Sequence, residues 1–339
     1  MPKNGFKPFK VGRNEKQFGY VDVIDNPSAT FNMPVGIVNG KKDGPTLMVT
    51  GGLYPTEYCG VEAASRLYQL INPEDLTGTF ITVPVINMNS FQFRAPMNLI
   101  STGTSPIDRG SINQSFPGDQ NGKPTQVLAY TLFQILKRAN YHVDFRGGDL
   151  NESHLVHTIY DVIGKDDVDK TALEMAKVFG LELVLPGRPD IYHTSPGTMI
   201  YEAMNAGVAS IISESGLGYR EQPLEEFIEL HVKGTINLLK YYGMMDGEPE
   251  KPKDQRFLDD MNWYRTPAPA AGVFVAIADY GDLVKEGEVI GLIKDLDGSV
   301  IAEVVSPING TVHTMFPKRV VHRNENLYTL LKILGPTGW

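Results

Sequence analysis

The sequence predicts an α/β fold: a mainly parallel sheet with helices on both faces, followed by a small C-terminal all-β, barrel-like domain. Apolar, β-branched runs alternate with amphipathic stretches up to about residue 245, which is typical of a parallel sheet with helical crossovers. A polar, proline-containing segment then interrupts the pattern, and beyond it short apolar runs separated by glycine turns show no helical period. We therefore predict domains at 1–246 and 263–339, joined by a linker at 247–262.

The first domain is predicted to alternate between strands and helices. Apolar runs that end at glycine or polar residues predict strands at 46–52, 79–87, 142–148, 181–187 and 208–216. Apolar residues at helical spacing predict helices over 60–71, 125–139, 170–180, 199–207 and 224–245. Ligands of such sheets bind at the carboxyl ends of the strands, which here are Gly51-Gly52, Asn87, Arg146-Gly147 and Glu214-Ser215-Gly216.

Composition excludes several classes of protein. The formal net charge is -9, which argues against a nucleic-acid or anionic-membrane binder, because phosphate contacts require clustered Lys and Arg. The single cysteine, Cys59, allows neither an intrachain disulfide nor a cysteine zinc cluster. The N-terminus lacks the apolar core of a signal peptide, and no apolar run is long enough to span a bilayer. We expect a cytoplasmic protein that acts on a small molecule.

Five segments carry distinctive motifs, in this order: GGLYPTEYCG at 51–60, NMNSFQFR at 87–94, PIDRGSINQSFPG at 106–118, DFRGGDLNE at 144–152 and SIISESGLGY at 210–219. They resemble the motifs of the succinylglutamate desuccinylase/aspartoacylase family, and the resemblance covers nearly the whole chain, including the C-terminal β-domain. It implies a zinc-carboxypeptidase-like fold and a deacylase related to those that use a His, a Glu and a second His to hold zinc.

The resemblance also implies a set of site residues. Glu57 matches the zinc-ligand glutamate, whereas Tyr54 and Arg146 stand where the two ligand histidines belong. Arg94 is implied as the oxyanion arginine and Glu214 as the catalytic base. Two further positions are implied to bind substrate: Asn113 matches the family asparagine, and Gln114 replaces an arginine that binds a carboxylate.

The exchanged positions predict a site without zinc. Arg146 has no lone pair to offer a metal, and it places a fixed positive charge about where the dication would lie. We expect Glu57 to pair with Arg146, in a bidentate contact, and the two to share one pocket with Tyr54, Arg94 and Glu214. The alternative is that the pair merely fills an inactive site. Because glutamine both donates and accepts hydrogen bonds, Gln114 favours a substrate that is neutral at that point, such as an amide or lactam.

Three histidines add alternatives. His154 and His157 are three residues apart, a spacing that fits one face of a helix. Either could complete a relocated metal site with Glu57, serve in substrate contact or proton transfer, or simply lie on the surface. His193 is a candidate for a substrate-binding loop.

Three functions follow from these residues. The first is a divergent, metal-independent enzyme acting on a small amino-acid-derived amide or acyl substrate by hydrolysis, cyclisation or elimination, with Glu214 as base and Arg94 and Arg146 as anion stabilisers. The second is a zinc-dependent N-acyl amino acid deacylase with remapped ligands, and the third is a non-catalytic ligand-binding protein. We expect no cofactor, with zinc as the alternative. The C-terminal domain is assigned a structural or assembly role, which makes a homo-oligomer a candidate state.

Overall fold

The computed structural model describes residues 10–25, 30–92, 108–149, 152–187, 194–218, 223–252, 254–258, 263–316 and 319–332. Within them, nine strands form one large sheet in the order β1-β2-β4-β3-β5-β9-β7-β8-β10. These strands are β1 (Glu15–Asp25), β2 (Thr30–Asn39), β3 (Lys42–Thr50), β4 (Thr77–Val83), β5 (Tyr141–Arg146), β7 (His157–Asp161), β8 (Leu183–Gly187), β9 (Ala209–Glu214) and β10 (Arg256–Phe257). The two-residue strand β6 (Ser153–His154) lies outside this sheet.

Six α-helices connect these strands in the described residues: α1 (Tyr58–Leu70), α2 (Met88–Gln92), α3 (Pro124–Leu136), α4 (Asp166–Phe179), α5 (Met199–Asn205) and α6 (Glu225–Tyr241). The five predicted helices are all present. Helices α1, α4 and α6 share one buried apolar cluster with Leu47 and Val49, whereas α3 belongs to a second with Met48, and α5 contributes to both. Successive residues of a strand point to opposite faces, so helices cover both faces of the sheet.

The sheet is mixed, and most of its neighbouring strands pair in parallel, as the sequence predicted. Strands β3, β4, β5 and β9 pair in parallel, as do β7, β8 and β10. However, β1–β2, β2–β4 and β7–β9 are antiparallel. For β7 the reason is that it follows β5 with no helix between them, since only a helical or similarly long crossover returns a chain parallel to its neighbour.

The C-terminal β-unit, defined as residues 263–316 and 319–332, has its own apolar core. Its strands are β11 (Trp263–Pro267), β12 (Gly272–Ala276), β13 (Leu283–Val284), β14 (Val289–Lys294), β15 (Val300–Val305), β16 (Gly310–Met315), β17 (Val320–Val321) and β18 (Asn326–Lys332). They form two sheets, and β6 joins one of them by pairing with β16. The all-β character is therefore confirmed, whereas the barrel-like description remains a prediction.

The predicted domain boundaries also remain predictions. Two residues of the predicted linker 247–262 form β10, which pairs with β8 at the edge of the large sheet. None of the helices that the structure describes combines the length and apolarity needed to cross a membrane.

Candidate functional site

Three charged or titratable side chains lie side by side at one edge of the large sheet. Arg146 ends β5 and pairs in register with Glu214, which ends β9. On the other side of Glu214, the antiparallel strand β7 begins at His157, also in register. Paired residues project to the same face of a sheet, so the fold brings Arg146, Glu214 and His157 together where the sequence predicted a site.

Arg146 is held by Asp144 rather than by Glu57, which corrects the predicted pairing. The guanidinium Nε donates to Asp144 Oδ2 at 2.5 Å, and both side chains are almost fully buried. Thr50 donates to the other Asp144 oxygen at 2.7 Å and is itself 3.0 Å from His142 Nε2. Asp144 precedes Arg146 by two residues on one strand and therefore projects from the same face, which makes it the nearer partner.

The outer part of the Arg146 guanidinium faces two other predicted site residues, Asn113 and Tyr54. Nη2 donates to Asn113 Oδ1 at 3.4 Å, and the guanidinium carbon lies 5.3 Å from the centre of the Tyr54 ring, within cation–π range. Asn113 in turn donates to the Tyr54 hydroxyl at 3.4 Å. Nη1 is buried without a hydrogen-bond partner in the described residues. A buried, charged donor in this state is available to a ligand oxygen.

Glu57 is the second buried group with spare hydrogen-bonding capacity. Its Oε2 is buried and has no hydrogen-bond partner among the residues described. Burial raises the pKa of Glu57 well above its ordinary value, the Glu214 carboxylate adds to the increase, and Arg146 opposes it. Glu57 therefore favours the neutral acid form, since an unpaired buried carboxylate is costly.

Glu214 behaves in the opposite way. Its Oε2 lies 3.4 Å from His154 Nε2. Burial would raise the pKa of Glu214, but the hydrogen bond and charge of His154, with His157 and Arg146, bring it down to about 2. For His154 the directions are reversed: burial alone would lower the pKa, but the neighbouring Glu214 outweighs burial and raises it. The pKa values of Glu57 and Glu214 are thus displaced in opposite directions, an arrangement that separates acid and base roles.

His154 and His157 lie on strands rather than on one helix, so the helical reading of their spacing was wrong. His154 belongs to β6 and His157 starts β7, yet their ring centroids are only 5.2 Å apart. The chain turns between the two short strands, which brings the rings together by a different route. Both are buried, which excludes the surface reading.

The remaining predicted residues divide into two groups. Asn113 is fully buried at the site, whereas the neighbouring Gln114 is exposed on the short 3₁₀ helix Ile112–Gln114, so the structure does not bring Gln114 to the Arg146 cluster. Arg94 and His193 lie outside the described residues, and their roles stay predictions.

The side chains present do not fit the zinc that the family resemblance implies. A guanidinium stands beside Glu57, and cations repel a dication as well as offering it no lone pair. The Nδ1 atoms of His154 and His157 both face the carbonyl of Leu155, and His154 Nε2 faces Glu214. Accordingly, the described part of the chain contains no group of three or more His, Cys, Asp or Glu side chains able to hold a metal ion.

Sequence reasoning missed two parts of the site. Asp144 was detectable, because strand alternation places it on the face of Arg146. The C-terminal β-unit supplies the other part: the His313 ring lies 4.8 Å from that of His157, and the Trp263 ring lies 4.5 Å from that of His313. No local pattern connects these residues to a histidine more than 100 positions earlier.

Comparison with known proteins agrees with the motifs. Residues 43–242 match the family model described as the succinylglutamate desuccinylase/aspartoacylase catalytic domain. The chain is 26% identical over 307 residues to the N-alpha-acetyl-L-2,4-diaminobutyric acid deacetylase of Halomonas elongata, covering 89% of this chain and 82% of that protein.

Solved structures show the same fold. The succinylglutamate desuccinylase/aspartoacylase of Rhodobacter sphaeroides superposes with a TM-score of 0.81 at 24% identity, covering 96% of this chain and 98% of that one. The ectoine utilization protein EutE (DoeB) of Ruegeria pomeroyi, in its product-bound structure, gives 0.83 at 22% identity with the same coverage. The expected hydrolase kinship is confirmed at the level of the family. The family model matches more than half of the 339 residues of this chain. The chain therefore belongs to the succinylglutamate desuccinylase/aspartoacylase family.

Proposed function

We propose that this protein is a deacylase-like enzyme that hydrolyses the amide bond of a small N-acyl amino acid derivative without zinc. Glu214 acts as the base, and Arg146, together with Arg94, stabilises the negative charge that develops on the acyl oxygen. The curated relative is named a deacetylase, which favours hydrolysis over the cyclisation and elimination that the sequence leaves open.

The observation that carries this proposal is the state of Arg146. A permanent cation is fixed at the strand end by Asp144 and Asn113, and its Nη1 remains unpartnered among the described residues. Preorganised donors of this kind stabilise an oxyanion because they need no reorganisation during the reaction. In the family framework the zinc polarises the acyl carbonyl; here the guanidinium supplies positive charge at the matching position.

Hydrolysis of the amide requires only water and the side chains present at this site. Glu214, ionised at neutral pH, removes a proton from a water molecule whose oxygen attacks the acyl carbon, and the carbonyl electrons move to the oxygen facing Arg146. When the tetrahedral intermediate collapses, the C–N bond breaks and the amine nitrogen takes a proton from the Glu214 carboxyl or from His154. The products are a carboxylic acid and an amine.

A panel assay tests the proposed function. Purified protein should release free amine from at least one of a set of N-acetyl and N-succinyl amino acids that includes N-α-acetyl-L-2,4-diaminobutyrate. Thermal unfolding is followed with the same compounds, because a bound ligand raises the unfolding temperature. Stabilisation by a compound that is never turned over would overturn hydrolysis and favour a binding protein.

A further inference from the structure

The connection between β5 and β7 links the candidate base to the C-terminal β-unit. After the strand end at Arg146, the chain forms β6, whose His154 and Ser153 pair with Thr314 and Met315 of β16. The Leu155 N–H donates to the His313 carbonyl at 2.9 Å. The backbone that carries His154 is therefore attached to the C-terminal sheet, while the adjacent Ser153 also bridges Leu217, three residues beyond the end of β9.

The Leu155 carbonyl sets the orientation of two imidazoles. His154 Nδ1 lies 3.2 Å from this oxygen and His157 Nδ1 lies 2.9 Å from it. A carbonyl oxygen only accepts hydrogen bonds, so both rings carry a proton on Nδ1. With Nδ1 facing Leu155, the His154 ring directs Nε2 toward the Gly148 N–H at 3.0 Å and Glu214 Oε2 at 3.4 Å.

Both neighbours compete for that nitrogen. The Gly148 N–H favours a lone pair on Nε2, whereas an ionised Glu214 favours a proton. Hydrogen bonds that involve an ionised group are stronger than those between neutral groups. The contact with the carboxylate is therefore the stronger one, provided that the His154 ring is held within reach of it. Small displacements of His154 therefore decide which contact it makes.

His313 closes the cluster from the other side. Its ring is 2% exposed, lies 4.8 Å from His157 and 6.3 Å from His154 between centroids, and is backed by Trp263. Nδ1 is 2.7 Å from the Thr314 hydroxyl. The rings of His313, His157 and His154 thus make successive edge-to-face contacts that end at Glu214, and the first of them belongs to the C-terminal β-unit.

We propose that the C-terminal β-unit is a working part of the site, in which β16 fixes the Leu155 peptide and His313 is a positioning residue that holds His157 and His154 against Glu214. This inference rests on the proposed function only for its consequence in catalysis. The positioning itself is a property of the free protein and is measurable without a substrate.

The test uses the full chain with ¹⁵N-labelled histidine, in which two-bond correlations report the protonation and hydrogen bonding of each ring. His313→Leu removes the ring, His313→Phe retains a flat aromatic ring, and His322→Leu changes an exposed histidine of the same unit as a matched control. We expect His313→Leu to shift the His154 ring signals to those of a neutral imidazole, His313→Phe to restore most of the wild-type pattern, and His322→Leu to leave it unchanged.

Where the panel assay provides a substrate, His313→Leu should lower kcat by about 10-fold or more with a small change in KM, since the group it positions acts on the reacting atoms rather than on binding. Unchanged His154 signals in a folded His313→Leu protein would overturn the proposal, whatever the enzyme activity. Shifted signals with no turnover of any panel compound, in the variant or the wild type, would instead uphold the positioning and count against the proposed function.

Discussion

Replacing Glu214 with Gln should abolish turnover while the fold survives. The change keeps the shape of the side chain but removes the group that accepts a proton from water, and general-base catalysis contributes about 10²–10⁴-fold to a rate. At neutral pH the wild-type carboxyl is ionised, because its neighbours lower its pKa to about 2. Steady-state kinetics on the substrate identified by the panel measure the loss, and thermal unfolding checks the fold.

Glu226→Gln is the matched control for this experiment. Glu226 is an exposed residue of α6, so its substitution should leave kcat unchanged. A Glu214→Gln protein that retains wild-type kcat would remove Glu214 from the role of base. A loss of activity that is matched by loss of the folded state would have no bearing on catalysis, and circular dichroism separates these outcomes.

Replacing Arg146 with Met should damage both activity and stability. Loss of an oxyanion donor costs about 10²–10³-fold in kcat. Loss of the cation also leaves Asp144 buried without its ionic partner, and breaking one side of a buried ion pair costs about 3–5 kcal/mol. Urea unfolding should therefore show a lower free energy of unfolding, together with the fall in kcat.

The double variant Arg146→Met/Asp144→Leu separates these two effects. It removes the stranded carboxylate, so it should recover much of the lost stability without recovering activity. Arg66→Met is the control, because Arg66 pairs with Glu225 and Glu229 at the surface, where ion pairs contribute about 0–1 kcal/mol. If Arg146→Met keeps wild-type activity and stability, the guanidinium has no function at this site.

The sequence allowed most of the fold and the centre of the site to be predicted. Hydrophobic periodicity located five helices, and the strand ends located Arg146 and Glu214 at one edge of the sheet. Strand β7 itself escaped prediction, because the spacing of His154 and His157 was interpreted as one face of a helix. Its antiparallel pairing with β9 follows from the lack of a helical crossover after β5.

Pairing between particular side chains was harder to predict than their proximity. Glu57 was expected to hold Arg146, since the family motif brings both to one site, but Asp144 is closer on the same strand. Likewise, three-residue spacing placed His154 and His157 on a helix, whereas two short strands bring their rings together. In both cases the residue types indicated which side chains belong to the site, whereas the contacts between them depended on the tertiary structure.

Under the proposed function, this protein works by fixed protein charge instead of a metal. Elemental analysis of the purified protein, combined with the panel assay before and after prolonged chelation, distinguishes the two. We expect zinc far below one ion per chain and a kcat that chelation leaves unchanged. One zinc per chain, whose removal abolishes turnover and whose return restores it, would rule out metal-independent catalysis.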